Sequence, residues 1–470
     1  MNYAVVDAIR LEANAKLDPL KKGALGQFMT PYRIAEFMAG LFENRAHAVL
    51  LDAGAGIGSL TLAASKVLQL DRVEAWEVDP VMQSYLEKSL EKIGVPHELH
   101  RMDFILDSVD RIQFNQGVRF THAILNPPYK KITSTSNHRK ACSSVGLETV
   151  NLYTAFLGLS ILQMRQGGEI VVIIPRSFCN GPYYKPFREL MLGQCAIDVL
   201  HIFESRSKAF KDDEVLQENL ILKLTKGKPQ GRVLLSFSHD ASFADMRRRE
   251  VEFRSIVEPS DTERFIRIPT EDAPEELSLF EHSLQELGLE VSTGPAVDFR
   301  LRTWWSKLPE KGTVPMIYPH HFGKDGFHYP VEHKKPNALM HSPEVEKWLM
   351  PCGVYVLVKR FSAKEEIRRV VAYLITSEMV TAPHVAFDNK WNVFHYKKQG
   401  INKEVAQGLA CFLNSTVLDS YFRVFSGHTQ VNATDLRNIK YPSLVKLREW
   451  GKQYRPAMTQ EEIDQLVTAA

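Results

Sequence analysis

What this 470-residue chain lacks narrows its reading first. No apolar run approaches the ~18 residues that cross a bilayer, and the longest near it is 170–175. The opening residues, M-N-Y-A-V-V-D-A-I-R, hold no basic stretch followed by an apolar core, so no secretory leader is expected. Cysteine is scarce. The five present (Cys142, Cys179, Cys195, Cys352, Cys411) are scattered, odd in number and without metal-ligand spacing. Neither a disulfide scaffold nor a metal is implied, and free thiols in a reducing cytoplasm are expected. No internal repeat is visible.

What is present is an ordinary globular composition, 44% hydrophobic and 24% charged. The length exceeds what one core accommodates, so at least two domains are expected. The net charge of +2 conceals an asymmetry. Residues 291–470 carry 24 Lys and Arg against 17 Asp and Glu, and eight of the 16 histidines. Residues 1–290 carry the remaining 34 against 39. A basic C-terminal part facing an acidic N-terminal part points to a polyanionic partner for the former.

The N-terminal half reads as alternating helices and strands. A helix over 1–19 precedes the glycine-bearing segment Gly23-Ala24-Leu25-Gly26-Gln27-Phe28-Met29-Thr30-Pro31. Thr30 reads as an N-cap and Pro31 as the first residue of a helix over 32–42. An apolar strand over 47–51 runs into Asp52-Ala53-Gly54-Ala55-Gly56-Ile57-Gly58 and then a helix over 59–70. The glycines let backbone approach a ligand closely, and Glu77, 19 residues after Gly58 at the end of a strand over 72–76, is placed to take ribose hydroxyls. Asp52 disfavours a pyrophosphate and suits a cofactor with a positive amino-acid end. A helix over 80–93 leads to a strand over 97–102 ending in Asp103-Phe104, an acceptor for an adenine amine beside a ring to pack on it.

The fourth strand, 121–125, delivers Asn126-Pro127-Pro128-Tyr129. Two prolines remove N–H donors and stiffen the loop. An amide side chain, a backbone carbonyl and an aromatic face then lie close together, a set suited to a planar exocyclic amine. Asp52 with Gly54, Glu77, Asp103 and Asn126 all fall at the carboxyl ends of strands, where open α/β sheets bind ligands. The expected fold is therefore α/β and Rossmann-like, with a mostly parallel, doubly wound sheet. Residues 130–147 read as a polar loop with four basic residues and no acid. A helix over 148–166 and strands over 169–175, 196–203 and 215–225 follow, the last closing the sheet edge. Phe210 stands in a polar segment, as a core cap or a stacking platform.

Residues 241–290 read as an acid-rich connector between a first domain, 1–240, and a second, α+β domain, 291–470. From Val291 aromatic and basic residues interleave: Phe299, Arg300, Arg302, Trp304, Trp305, Lys307, Tyr318, Lys334 and Lys335. Side chains able to read base edges concentrate in 425–437.

This ordered set resembles the adenine-specific DNA methyltransferases of bacterial restriction–modification systems that use S-adenosylmethionine, in their gamma arrangement. The resemblance covers 23 to about 225 well and 291–440 loosely, through Val291-Ser292-Thr293-Gly294 and the segment from Ser426 to Arg437. It implies that Thr30 holds the methionine carboxylate through its backbone, and that Asp52, Gly54 and Gly56 form the cofactor loop. Glu77 would bind the ribose and Asp103 with Phe104 the cofactor adenine. Asn126, Pro127, Pro128 and Tyr129 would hold the target base, with Phe210 stacking on its other face. The implied activity is methylation of a flipped-out adenine in double-stranded DNA by a monomer in the bacterial cytoplasm. The same chemistry on RNA or on a protein glutamine, and a non-catalytic DNA-binding subunit, are the rivals. No Pro-Cys motif of cytosine enzymes and no nuclease motif is visible, which leaves room for a separate cognate restriction endonuclease.

Overall fold

A computed structural model describes residues 3–16, 29–203, 219–259, 261–268, 280–323, 325–362, 366–425 and 430–468. They divide into two compact units, Met1–Arg267 and Ile268–Ala470. No helix among them is long and apolar enough to cross a membrane.

The first unit is built on a nine-stranded sheet in the order β3-β2-β1-β4-β5-β7-β6-β8-β9. The first five strands of that order, β1 (Ala48–Ala53), β2 (Leu70–Trp76), β3 (His97–His100), β4 (Phe120–Leu125) and β5 (Met164–Pro175), pair in parallel. Parallel strands are covered on both faces and so read as near-continuous apolar runs; Leu50, Leu51, Ala123 to Leu125 and Ile170 to Ile174 are completely buried. Helices connect them: α1 (Tyr3–Lys16), α2 (Tyr32–Gly40), α3 (Ser59–Ala64), α4 (Pro80–Ile93), α5 (Phe104–Gln113), α6 (Asn137–Ser144), α7 (Leu152–Gln163) and α8 (Lys185–Gln194).

Local chemistry sets their ends. Asp79 caps α4 by accepting from the N–H groups of Val81 and Met82, with Pro80 at its first position and Gly94 closing it at φ 73°. Gly58 precedes α3 at φ 85°, where an added Cβ would also meet Leu86 and Ser89 at 3.0 and 3.1 Å. Pro31, not Thr30, is the N-cap of α2, and it offers no side-chain bond. The carboxylate of Asp7 on α1 caps α2 instead, accepting from the Tyr32 N–H at 3.2 Å.

Strand order departs from expectation beyond β5. β7 (Asn219–Lys226) does not close the edge. It runs antiparallel between β5 and β6 (Cys195–Phe203). β8 (Arg232–Ser238) and β9 (Arg247–Glu252) extend the sheet further. The acid-rich stretch read as a connector from 241 onward therefore supplies a strand, and the boundary falls at 267. Its charged residues, in Arg-Arg-Arg-Glu-Val-Glu, suit an edge strand, where charge blunts pairing with other chains. The segment 130–147, read as a loop, contains α6, and the helix α5 after Asp103 was not foreseen.

The second unit is α+β. One small sheet orders Glu290–Thr293, Trp391–His395, Tyr355–Lys359 and Ala372–Ile375; a second orders Trp305–Ser306, Ala338–Met340, Thr313–Ile317, His384–Phe387 and Met350–Pro351; a third pairs Phe322–Gly323 with Gly326–Phe327. Gly294 ends the first of these strands, and a Cβ there would overlap the carbonyls of Phe387 and Asp388. Two helices, α9 (Lys403–Leu413) and α10 (Leu444–Gln453), pack backbone to backbone. A Cβ on Gly408 would overlap the carbonyl of Leu447, and one on Gly451 that of Glu404. Gly408→Ala or Gly451→Ala is expected to force the helices apart and destabilise this unit by about 1–3 kcal/mol. Urea unfolding would register this as a lower midpoint with an unchanged slope.

Candidate active site

Because β3, β2, β1 and β4 lie side by side, their carboxyl ends bring four sequence-distant loops together. A cavity of about 420 Å³ opens over them, lined by Met29, Thr30, Gly54 to Ile57, Trp76, Glu77, Asp103, Phe104, Asn126, Pro128, Lys130 to Thr133, His138 and Phe156, among others. Of the residues singled out in the sequence, Thr30, Gly54, Gly56, Glu77, Asp103, Phe104, Asn126 and Pro128 reach its wall. Asp52, Pro127 and Tyr129 do not line it. Phe210 lies outside the described residues, as do residues 23–28 of the glycine-bearing segment.

The glycine loop is folded onto β2. The N–H groups of Gly54 and Ala55 both donate to the carbonyl of Trp76, at 2.9 and 3.0 Å. Glu77 fastens the loop further: Oε2 accepts from the Gly56 N–H at 2.9 Å and Oε1 from the Asp79 N–H at 2.8 Å. Burial holds the Glu77 carboxyl above its ordinary value in spite of those donors.

Asp52 is fully buried at the end of β1. Its Oδ2 accepts from the Thr61 hydroxyl at 2.5 Å, while Oδ1 has no hydrogen-bond partner among the described residues. Burial pushes its carboxyl up to about 7.

At the other end, Asp103 caps α5, with Oδ1 accepting from the Leu106 N–H at 3.0 Å. Its Oδ2 lies 3.0 Å from Nε2 of His138. Phe104 is buried, 5.5 Å from Trp76 edge-on and 4.9 Å from Phe156. Trp76 is fixed by its indole N–H donating to Asp107 at 2.8 Å and by stacking on His100 at 4.0 Å. Glu74, Glu98 and His100 have the composition of a cation site. Arg72 and Arg119 lie within 3.3 Å of Glu74, however, so the cluster is an ion-pair network.

Asn126 is held at both ends of its amide. Nδ2 donates to the Thr30 hydroxyl at 2.9 Å and Oδ1 accepts from the Tyr129 hydroxyl at 2.9 Å. Thr30 therefore anchors Asn126, a role that helix-capping logic does not indicate. The Tyr129 hydroxyl also lies 3.2 Å from the Ile173 carbonyl, and its ring meets Tyr153 edge-on at 6.3 Å. Burial holds the phenol well above its ordinary value, so it stays a neutral donor. The Pro127 carbonyl takes no hydrogen bond among the described residues.

Trp76, Phe156 and His138 were not singled out in advance. Trp76 ends a strand one residue before Glu77, which is a usable signal. Phe156 and His138 reach the cavity through packing that sequence spacing does not encode. The aromatic–basic pattern of the second unit divides in the structure. Tyr318 is core, Trp305 carries Lys335 at 5.7 Å above its ring, and Phe299 is exposed, at 59%, together with Arg300, Arg302 and Lys307. Lys335 also pairs with Asp298. In 430–437, Asn432 and Asp435 are occupied in capping a short helix.

The Eco57I restriction-modification methylase family matches residues 63–210. The type II methyltransferase M.BsuBI of Bacillus subtilis is 49% identical, over 98% of this chain and 96% of its own. M.PstI of Providencia stuartii, also a type II methyltransferase, is 40% identical over the same shares. A solved DrdV–DNA complex superposes with a TM-score of 0.51 at 12% identity, covering 93% of this chain and 57% of that one, a likeness of fold. The protein is thus an enzyme, a methyltransferase. Specifically, the chain belongs to the type II methyltransferases of restriction–modification systems.

The buried acid behind the glycine loop has a measurable consequence. An acid with a raised value binds its proton more tightly when folded. Its contribution to stability is full below the unfolded value near 3.8 and is lost as pH rises toward 7. Asp52→Asn is therefore expected to raise the melting temperature of the ligand-free protein at pH 8 and to leave it nearly unchanged at pH 4, by about 2–4 °C for each kcal/mol recovered. Calorimetric scans at the two pH values check this.

Proposed function

We propose that the chain transfers the methyl group of S-adenosylmethionine to the exocyclic amino group of an adenine flipped out of double-stranded DNA, at a specific sequence. On this reading the first unit is catalytic, the second recognises the target, and the modification shields cytoplasmic DNA from a separate cognate restriction endonuclease. The observation that carries it is the amide of Asn126, fixed by Thr30 and Tyr129 beside a Pro127 carbonyl that takes no hydrogen bond among the described residues.

The cavity fits the cofactor. Glu77 presents a buried carboxylate to ribose hydroxyls, and Phe104, Trp76 and Phe156 give the adenine an apolar slot with Asp103 at its rim. Oδ1 of Asp52 has no hydrogen-bond partner among the described residues, and a positive amino-acid end at the loop would favour the ionised carboxylate that burial disfavours. When bound, S-adenosylmethionine supplies an activated methyl group on a sulfonium.

The protein's own work is positioning. Extruding the base costs a few kcal/mol, and stacking on Tyr129 returns about 1–3. Oδ1 of Asn126 and the Pro127 carbonyl accept the two amino hydrogens, which turns the nitrogen lone pair toward the methyl group. The neutral Tyr129 hydroxyl, donating to Oδ1, keeps that oxygen aimed. Holding nucleophile and methyl in line accounts for most of the rate.

Transfer of labelled methyl to unmodified double-stranded DNA, with base analysis, tests this. Wild type is expected to yield 6-methyladenine, and Asn126→Ala to lose about 10²- to 10³-fold, as for removal of one preorganised hydrogen-bonding group. Transfer only to RNA or protein would sink the DNA reading, and labelled cytosine the adenine reading.

Cofactor affinity should depend on pH through Glu77. Ribose hydroxyls donate to the ionised carboxylate, whose value is raised above 4.5, so affinity is full well above that value and falls as pH drops through it. Glu77→Gln is expected to bind S-adenosylhomocysteine more weakly and with a flatter pH profile, measured by titration calorimetry from pH 5 to 8.

A further inference from the structure

The segment 130–147 does more than join two elements. Just after Tyr129 it is pinned to the start of α7: the Ile132 N–H donates to the Val150 carbonyl and the Leu152 N–H to the Lys130 carbonyl, both at 2.8 Å. It then turns into α6, capped by the Ser136 hydroxyl accepting from the Arg139 N–H at 3.2 Å. α6 is fixed to α5 by the amide of Gln113 donating to Ser144 at 2.9 Å, and its Cys142 is completely buried. On this platform the second residue of α6, His138, faces the cavity and sets Nε2 3.0 Å from Oδ2 of Asp103. Both oxygens of Asp103 are then engaged, one by the Leu106 N–H and one by His138. Neither the glycine loop nor the Asn-Pro-Pro-Tyr loop contributes to this arrangement.

We propose that His138 is a positioning residue for nucleobase selection: it fixes the plane of the Asp103 carboxylate and closes the adenine end of the cofactor cavity. This rests on the cofactor reading above. A carboxylate held by one oxygen alone rotates about its χ2 axis. Held by both, it keeps its remaining lone pairs in one direction, and an exocyclic amine is accepted there while a carbonyl is repelled. His138 thereby discriminates adenosine from an oxo-purine nucleoside without itself reaching the reacting atoms.

The test titrates the full-length chain with S-adenosylhomocysteine and with its inosine counterpart, in which a carbonyl replaces the exocyclic amine. Wild type is expected to bind the first and to discriminate against the second. His138→Ala should lose about tenfold for the first, as for loss of one charge-assisted hydrogen bond, and little for the second, so that the ratio of affinities shrinks. His138→Gln, whose amide nitrogen reaches about as far as Nε2, should restore most of the ratio. In the transfer assay His138→Ala should raise KM for S-adenosylmethionine more than it lowers kcat. The ratio is read on one folded preparation, so a general loss of stability does not imitate the effect. An unchanged ratio in His138→Ala would overturn the proposal, and so would equal loss for both ligands or a Gln variant no better than Ala. A wild type that binds neither ligand would overturn the cofactor reading and the proposal with it.

Discussion

A primary amide is useful as an acceptor only if it cannot turn over, and the two hydrogen bonds on Asn126 supply that constraint. Thr30 takes its N–H from 96 residues away in sequence, and Tyr129 gives its O–H from the next turn of the same loop. The first bond explains why Thr30 lies where it does, one residue ahead of the N-cap Pro31, with its hydroxyl turned to Asn126 and not to the helix. The second fixes the Tyr129 hydroxyl, which burial keeps neutral, while the residue as a whole stays half-buried. Strand order does the rest. Only with β1 and β4 adjacent does the loop carrying Asn126 reach both Thr30 and the glycine loop, where a Cβ on Gly54 would come within 3.9 Å of Pro128.

The acids around the cavity run against the folding preference of the chain. Asp52 and Glu77 are both raised by burial, and Asp52 leaves an oxygen without a partner. A stable protein with no ligand to bind would replace such groups with apolar ones. Their presence at two neighbouring strand ends, beside a cavity with a largely apolar lining, is the pattern of a site whose ligand restores what folding gives up. By contrast Glu74, equally buried, is surrounded by His100, Arg72 and Arg119 and is held below its ordinary value. It is satisfied by the protein itself and has no call on a ligand.

β1, β4 and the second half of β5 were readable because each is a short apolar run, the first two ending in the glycine loop and in Asn-Pro-Pro, and local pattern suffices for that. The position of β7 between β5 and β6 was not, because strand order is a non-local property that no spacing records. β9 was hidden by its charges, which an edge strand tolerates and a connector imitates. The Thr30 hydroxyl was read as a cap because Thr-Pro is a good helix start. That the hydroxyl serves Asn126 instead is a tertiary fact. In the second unit composition misled about individual residues. Tyr318, counted among aromatics available to nucleic acid, is completely buried, and an aromatic–basic alternation cannot distinguish a core ring from an exposed one.

One stretch of chain, from Asn126 to His138, borders the cavity at both extremes. At its start stands the amide proposed to hold the accepting amine. At its end stands the imidazole on Asp103. Between them Lys130 and Ile132 are tied by backbone hydrogen bonds to the start of α7. The eleven residues between them are thus fastened at their middle to one helix, so the position of each end is set by the fold itself.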